Sequence, residues 1–482
     1  MQILFVASEL APHSASGETA QVVAALAKAL RALGHGVTVL SPLYRNVDAA
    51  GRSLARRLTN LRLKLGEAEY TCELYDGRTA GGVDLLFVGH AEWFATHEPT
   101  APETPAQAFT RTALLCRSAV AIARDRQPAF DILHAHGWGG ALSTVWSKRD
   151  DELSRLRSVL SLHDIKQQGL FKQQQLVDIE AARELLDEAS TDHQRQEVNL
   201  LEEGILAADR VVAGSATHAR QIVVPGCGQG LEGRLAARGS DLVGIVHGID
   251  VSVWNPVIDA HLPARFGPTD LTGKTRCKLT FQRTLELPVE AQLPLAVFAS
   301  EASRDKGADL LIDAAPSILQ NNVQLCVLCP GHGSVDLSPL EALQERFGDR
   351  LRVVAGVREA QLRQALAASD FLLLPARYEP YGLMQMHAQR YGSLPIVRAT
   401  GGLADTIVDC NSKLETGNGF VFDEADAEEL VAATRRALAC FARRHEFENL
   451  RCRVMRLDNS WERRARTYES LYRGLTASPS TA

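Results

Sequence analysis

Short apolar runs, each followed by a stretch of helical periodicity, recur along this chain in two series, and that pattern leaves few folds open. Residues 2–8, 37–40, 85–88, 132–135, 159–163 and 209–215 read as buried strands of a first series. Residues 19–33 and 109–123 read as helices between them, the first closed by Gly34, whose free φ suits a C-cap. A second series follows at 294–299, 323–328, 351–354, 371–374 and 396–397. Alternation of this kind implies parallel strands joined by helical crossovers, with helices on both faces of each sheet. The 482 residues exceed one ordinary core. The expectation is therefore an α/β protein of two similar-sized halves, with the chain crossing between them at 243–256 and a ligand cleft where they face each other.

Composition removes several classes of function. The net charge of -6 offers no basic footprint for nucleic acid. No run approaches the roughly 18 apolar residues of a membrane span. Residues 1–8 are apolar but short, without a charged leader or a small-residue cleavage site, and read as a first strand. The nine cysteines are odd in number and scattered, which fits a reducing, cytoplasmic setting. Cys326 and Cys329 have C-x-x-C spacing but fall in a predicted strand, where their side chains point to opposite faces. His134 and His136 share one strand face, yet no third ligand with zinc-like spacing accompanies them, so no metal is expected.

The densest chemical signal lies in residues 371–405. Glu379 follows an apolar strand, Pro380 stops that strand, and Gly382 permits close backbone approach. A carboxylate at a strand end can accept hydrogen bonds from sugar hydroxyls or offset positive charge in an oxocarbenium-like transition state. After the next strand come Thr400, Gly401 and Gly402, a turn whose bare N–H groups would suit a diphosphate. Lys306, before Gly307 at a loop-to-helix junction, could reach phosphate oxygens. His163 ends another strand, and His136 and Trp138 end a third. In an open α/β sheet such strand ends are where ligands bind.

The order of motifs resembles that of bacterial glycogen synthases and plant starch synthases, glycosyltransferases of the GT-B type, over nearly the whole chain. The resemblance rests on the segments 8–12, 134–138, 163–169, 230–233, 247–250, 254–256, 377–405, 419–422 and 460–461. It implies transfer of glucose from ADP-glucose to the non-reducing end of an α-1,4-glucan, with retention of configuration and no cofactor or metal. It implies two Rossmann-like domains facing a central cleft, an acceptor-side domain at 1–243 and a donor domain at 244–457, and a final segment at 458–482 whose helix returns to the first domain. By the same resemblance His163, Lys306 and Glu379 are catalytic. Gly17, Arg304, Lys306, Glu379, Tyr381, Gly382, Leu383, Thr400, Gly401 and Gly402 would hold the donor, with His136 and Trp138 lining the acceptor cleft.

Six positions depart from the family pattern. Ala15, Glu18 and Gln21 replace the lysine, second glycine and aspartate of the donor loop, Gly137 replaces an aspartate, Glu301 an arginine and His247 an asparagine. A unit charge about 4 Å from a leaving diphosphate is worth on the order of 4 kcal/mol at an effective dielectric near 20. Reversing it at Glu301 would cost about a thousandfold in rate or more. Arg304 lies on the same loop as a substitute, with Lys166 and Arg377 more remote. Three readings stay open at this point. One is an active glycogen synthase with an altered donor loop. Another is a homologue that binds nucleotide or glucan and regulates. The third, motivated by Glu18 and Gln21, is a glycosyltransferase with another donor or acceptor.

Overall fold

The computed structural model of this chain describes residues 1–14, 17–45, 47, 54–95, 103–172, 197–331 and 333–477. Ala15 lies outside them. The chain divides into two compact units. The first comprises Met1–Gly214, Ala219–Ile245 and Trp461–Ala482, and the second Ser215–His218 and Val246–Ser460.

The first unit is built on ten strands: β1 (Gln2–Val6), β2 (Gly36–Pro42), β3 (Ala55–Arg56), β4 (Leu61–Leu65), β5 (Ala68–Arg78), β6 (Asp84–Gly89), β7 (Ile132–His136), β8 (Arg157–Ser161) and, after the small antiparallel pair β9 (Leu170–Lys172) and β10 (Glu197–Asn199), β11 (Arg210–Ala213) and β12 (Leu242–Gly244). Their order in the sheet is β12-β11-β8-β7-β1-β2-β6-β5-β3, with β4 on β5. The strands from β12 to β6 are parallel, as the βα alternation predicts. The antiparallel edge β3–β5 was not read from the sequence. Its signal was present in β4, where Leu61, Leu63 and Leu65 alternate with Arg62 and Lys64, and Leu63 and Leu65 alone are buried.

The helix Trp461–Ala477 belongs to this unit. It buries Trp461, Ala465, Tyr468, Tyr472 and Leu475, a stripe at spacings of three and four. Tyr472 reaches the sheet itself, its hydroxyl 2.7 Å from His134 Nδ1.

The second unit carries six parallel strands in the order β15-β14-β13-β16-β17-β18: β13 (Leu295–Ala299), β14 (Gln324–Cys329), β15 (Leu351–Ala355), β16 (Phe371–Leu374), β17 (Leu394–Arg398) and β18 (Phe420–Phe422). Helices cover both faces, so successive side chains enter two separate cores. Phe371 and Leu373 pack into one, Leu372 and Leu374 into the other. Cys329 and Cys326 divide the same way, as period 2 requires. All nine cysteines are free thiols.

Candidate functional site

The parallel part of each sheet reverses its strand order once. In the first unit the reversal falls between β1 and β7, in the second between β13 and β16. The crevice outside the carboxyl ends of such a strand pair is the expected ligand position. Each reversal carries residues singled out in the sequence.

In the second unit, the loop after β13 and the loop after β16 are laced together. The backbone N–H groups of Arg377 and Tyr378 both donate to Asp305 O, at 2.7 and 3.1 Å. The lacing sets Lys306 Nζ 2.7 Å from Glu379 Oε2. Glu379 is 8% exposed, and its other carboxylate oxygen accepts from Gly382 N–H at 3.2 Å. Gly382 has φ 63°, a conformation glycine adopts without strain. Gly307 (φ 73°) starts the helix Ala308–Leu319, and a Cβ there would stand 2.0 Å from Pro375 O. That close approach holds the two strand-end loops together.

The glycine turn has a different local role from the one expected. Gly402 N–H donates to Glu379 O at 3.0 Å, and the N–H groups of Leu403 and Ala404 both donate to Thr400 O. These groups are not bare. A Cβ on Gly401 would meet Glu379 O at 2.0 Å, and one on Gly402 would meet Tyr381 O at 1.9 Å. The glycines therefore let the turn pack against the backbone of 379–381 and brace the carboxylate's loop. Thr400 and Leu383 are buried beside it. Tyr381 is also buried, with its ring stacked on His247 at 4.4 Å and 15°. Thus His247, one of the departures from the family pattern, is a packing partner of a predicted donor residue.

Arg304 is largely exposed and lies 3.7 Å from Asp309, while Arg377 Nη1 lies 2.6 Å from the same carboxylate. Asp309, in the first turn of Ala308–Leu319, was not singled out in the sequence. Glu301 is exposed on the same loop.

In the first unit, β7 ends at His136 and β8 leads into His163. His136 Nδ1 and His163 Nε2 are 3.0 Å apart, and their rings stack at 5.3 Å and 18°. His134 stacks on the other side of His136 at 4.2 Å, with its own nitrogens on Tyr472 and Ser161. Burial lowers His163 to about 4. Burial, and then the proximity of His163, lowers His134 to about 3. Both are neutral imidazoles near neutral pH.

A cavity of ≈190 Å³ opens here. His136, Trp138 and His163 line it, together with Glu9, Tyr44 and Arg111. Trp138 is fixed by Gly169 (φ 62°), where a Cβ would stand 2.5 Å from the indole. Gly137, also on the cavity wall, has φ 62°, and a Cβ there would meet no atom within 4 Å. Gly17 is an extended N-cap with equally open surroundings and is absent from the lining. Sequence reading missed Arg111, which is 7% exposed in the helix Pro105–Asp125 and ion-paired with Glu103. An arginine inside the run from Phe109 to Leu115 was the available signal.

Among the described residues, no helix is long and apolar enough to cross a membrane. Nor, among them, is any group of three or more His, Cys, Asp or Glu placed to hold a metal ion.

Residues 2–237 match the starch synthase catalytic domain family, and residues 286–450 match glycosyl transferases group 1. A glycogen synthase of Anaeromyxobacter dehalogenans (strain 2CP-1) is 37% identical, covering 98% of this chain and 99% of its own. That of Myxococcus xanthus (strain DK1622) is 35% identical, covering 99% and 100%. The structure of the catalytic domain of starch synthase IV from Arabidopsis thaliana, bound to ADP and acarbose, aligns with a TM-score of 0.85 at 27% identity over 99% of each chain. Sucrose-phosphate synthase from Thermosynechococcus elongatus shares the fold, at a TM-score of 0.60 and 16% identity.

Proposed function

Because this chain belongs to the glycogen and starch synthase family of GT-B glycosyltransferases, we propose that it transfers glucose from ADP-glucose to the non-reducing end of an α-1,4-glucan, with retention and without a metal. The observation that carries this reading is the Lys306–Glu379 pair at the strand reversal of the second unit, 2.7 Å apart. Without a metal, cationic side chains must meet the charge that grows on the departing diphosphate. Lys306 is that cation, and Glu379 orients it. His163 adds a hydrogen bond to a sugar hydroxyl without adding a charge, since its imidazole is neutral. A neutral donor does not oppose an oxocarbenium-like transition state as a cation would. The Arabidopsis relative, whose structure holds ADP and acarbose, supports a nucleotide donor and a glucan acceptor. The free thiols fit a cytoplasmic setting.

The test is ADP release from ADP-glucose, coupled to a spectrophotometric readout. Release that needs both ADP-glucose and glycogen is expected. Absence of turnover with a panel of nucleotide sugars at high enzyme concentration overturns the proposal.

A second reading has its own support. Arg304, the nearest substitute for the replaced arginine, lies beside Asp309, and Glu301 brings a negative charge to the same loop. On this reading the protein binds nucleotide or glucan and regulates. Calorimetry showing binding of ADP or glucan without turnover would select it.

A further inference from the structure

The strand pair that carries Lys306 and Glu379 has a second feature at its opposite end. Asp370 immediately precedes β16, and Ala291 and Gln292 lie just before β13. There a cavity of ≈150 Å³ is lined by Lys274, Lys278, Asp370, Arg444, Glu448 and Arg451 among others. Lys274, Lys278 and Arg451 are 3%, 4% and 8% exposed, and Asp370 is 3% exposed. Arg444 and Glu448 are exposed at its mouth, where Arg444 donates to Gln292 O at 2.6 Å.

The hydrogen bonds show an imbalance. Lys278 Nζ donates to Asp370 Oδ2 at 2.6 Å, and Arg451 Nη2 donates to Asp370 Oδ1 at 2.6 Å. Lys274 Nζ reaches only carbonyl oxygens, those of Leu366, Ala367 and Tyr391. Three buried cations are thus answered by one buried carboxylate. Arg451 Nε is buried with no hydrogen-bond partner among the described residues. Buried charge without a counter-charge is costly, as is a buried donor without an acceptor. Nothing in the donor site described above uses these groups.

We propose that this cavity binds a phosphate dianion, either as the free ion or as the phosphate of a phosphomonoester. Two negative charges balance the excess of two buried cations, whereas a monoanion leaves one unanswered. Arginine forks match a tetrahedral oxyanion with parallel hydrogen bonds. The cavity is smaller than the usual ≈300–1,000 Å³ of drug-sized ligand pockets, which excludes a whole nucleotide sugar. Its open mouth at Arg444 and Gln292 lets an esterified group extend outward. Burial, and then the charge of Arg451, hold the Lys274 pKa well below the ordinary lysine value, and a bound dianion would favour its charged form.

Calorimetry and thermal shift on the full chain at fixed ionic strength test this, with inorganic phosphate in one arm and glycerol 3-phosphate in the other. The expected result is one site per chain and a rise in Tm. Binding of the inorganic ion alone identifies the free ion as the source, and tighter binding of the ester identifies a phosphomonoester. Arg444→Glu, an exposed change that spares the buried network, should weaken binding at least about tenfold. Lys306→Ala should leave it unchanged. Should Arg444→Glu fold poorly, Arg444→Gln serves in its place with a smaller loss. Absence of binding by either compound up to about 10 mM overturns the proposal. So does a loss of binding in Lys306→Ala that Arg444→Glu does not share, because the anion then sits at the donor site.

Discussion

At the carboxyl ends of β7 and β8 the first unit gathers neutral imidazoles, while at the carboxyl ends of β13 and β16 the second gathers an ion pair. His163 is buried among rings, with its pKa lowered to about 4 by desolvation. Lys306 keeps 26% of its side chain exposed, beside a Glu379 side chain at 9%. The contrast follows from what each can tolerate. An imidazole stays buried by giving up its proton, whereas an ammonium needs a counter-charge and some water. The first arrangement suits an uncharged, hydroxyl-rich ligand, and the second suits a group leaving with negative charge.

The largest effects should come from the charged pair. Lys306→Met and Glu379→Gln should each lower kcat/KM for ADP-glucose by about a thousandfold or more, since the first removes the cation that meets the departing diphosphate and the second removes the carboxylate that holds that cation in place. His163→Gln should cost less, about a hundredfold, because a neutral hydrogen bond is lost. Salt sharpens the contrast. Rising ionic strength should lower wild-type kcat/KM, and this dependence should flatten in Lys306→Met but persist in His163→Gln. Equal salt slopes in the two variants would break the division into charged and neutral regions.

Restoring charge is the next test. Glu301→Arg combined with Ala15→Lys should raise kcat/KM about tenfold or more. An unchanged rate removes Glu301 from the diphosphate's surroundings.

The glycines differ between the regions too. Gly402→Ala should destabilise by about 2–4 kcal/mol in denaturant unfolding, because its Cβ would stand 1.9 Å from Tyr381 O. Gly17→Ala should stay within about 0.5 kcal/mol, its Cβ meeting nothing within 4 Å. A comparable loss at both positions would refute the bracing role assigned to the 400–402 turn.

The smallest expected effect is a pH slope. Burial lowers His163 to about 4 and His134 to about 3, from 6.5. Between those values the unfolded chain binds protons that the folded chain refuses. Their contribution is therefore complete above about pH 6.5 and is lost progressively as pH falls towards 4 and below. Thermal melts from pH 7 to 4 should show a falling Tm, with a shallower fall in His163→Gln. His218 and His387 in the second unit are lowered by burial as well, to about 4 and 3, so part of the slope survives that substitution.

Sequence by itself determined the strand series, the doubly covered sheets and the positions of Lys306, Glu379, His136 and His163 at strand ends. Hydrophobic periodicity is local, and a strand's end is visible where its apolar run stops. The same locality explains the division of Cys326 and Cys329 between two cores. It did not determine which strands are neighbours. Only the tertiary structure placed β13 against β16, and with them Lys306 against Glu379, which are 73 residues apart in the chain. Pairing also decided that Gly401 and Gly402 pack against a backbone, the segment 379–381, and that the Gly402 N–H donates to Glu379 O instead of standing bare. It likewise brought Tyr472 of the last helix to His134, and Lys278 and Arg451 to Asp370. Contacts over such separations depend on how sheets and crossovers pack, information that no single window of sequence contains.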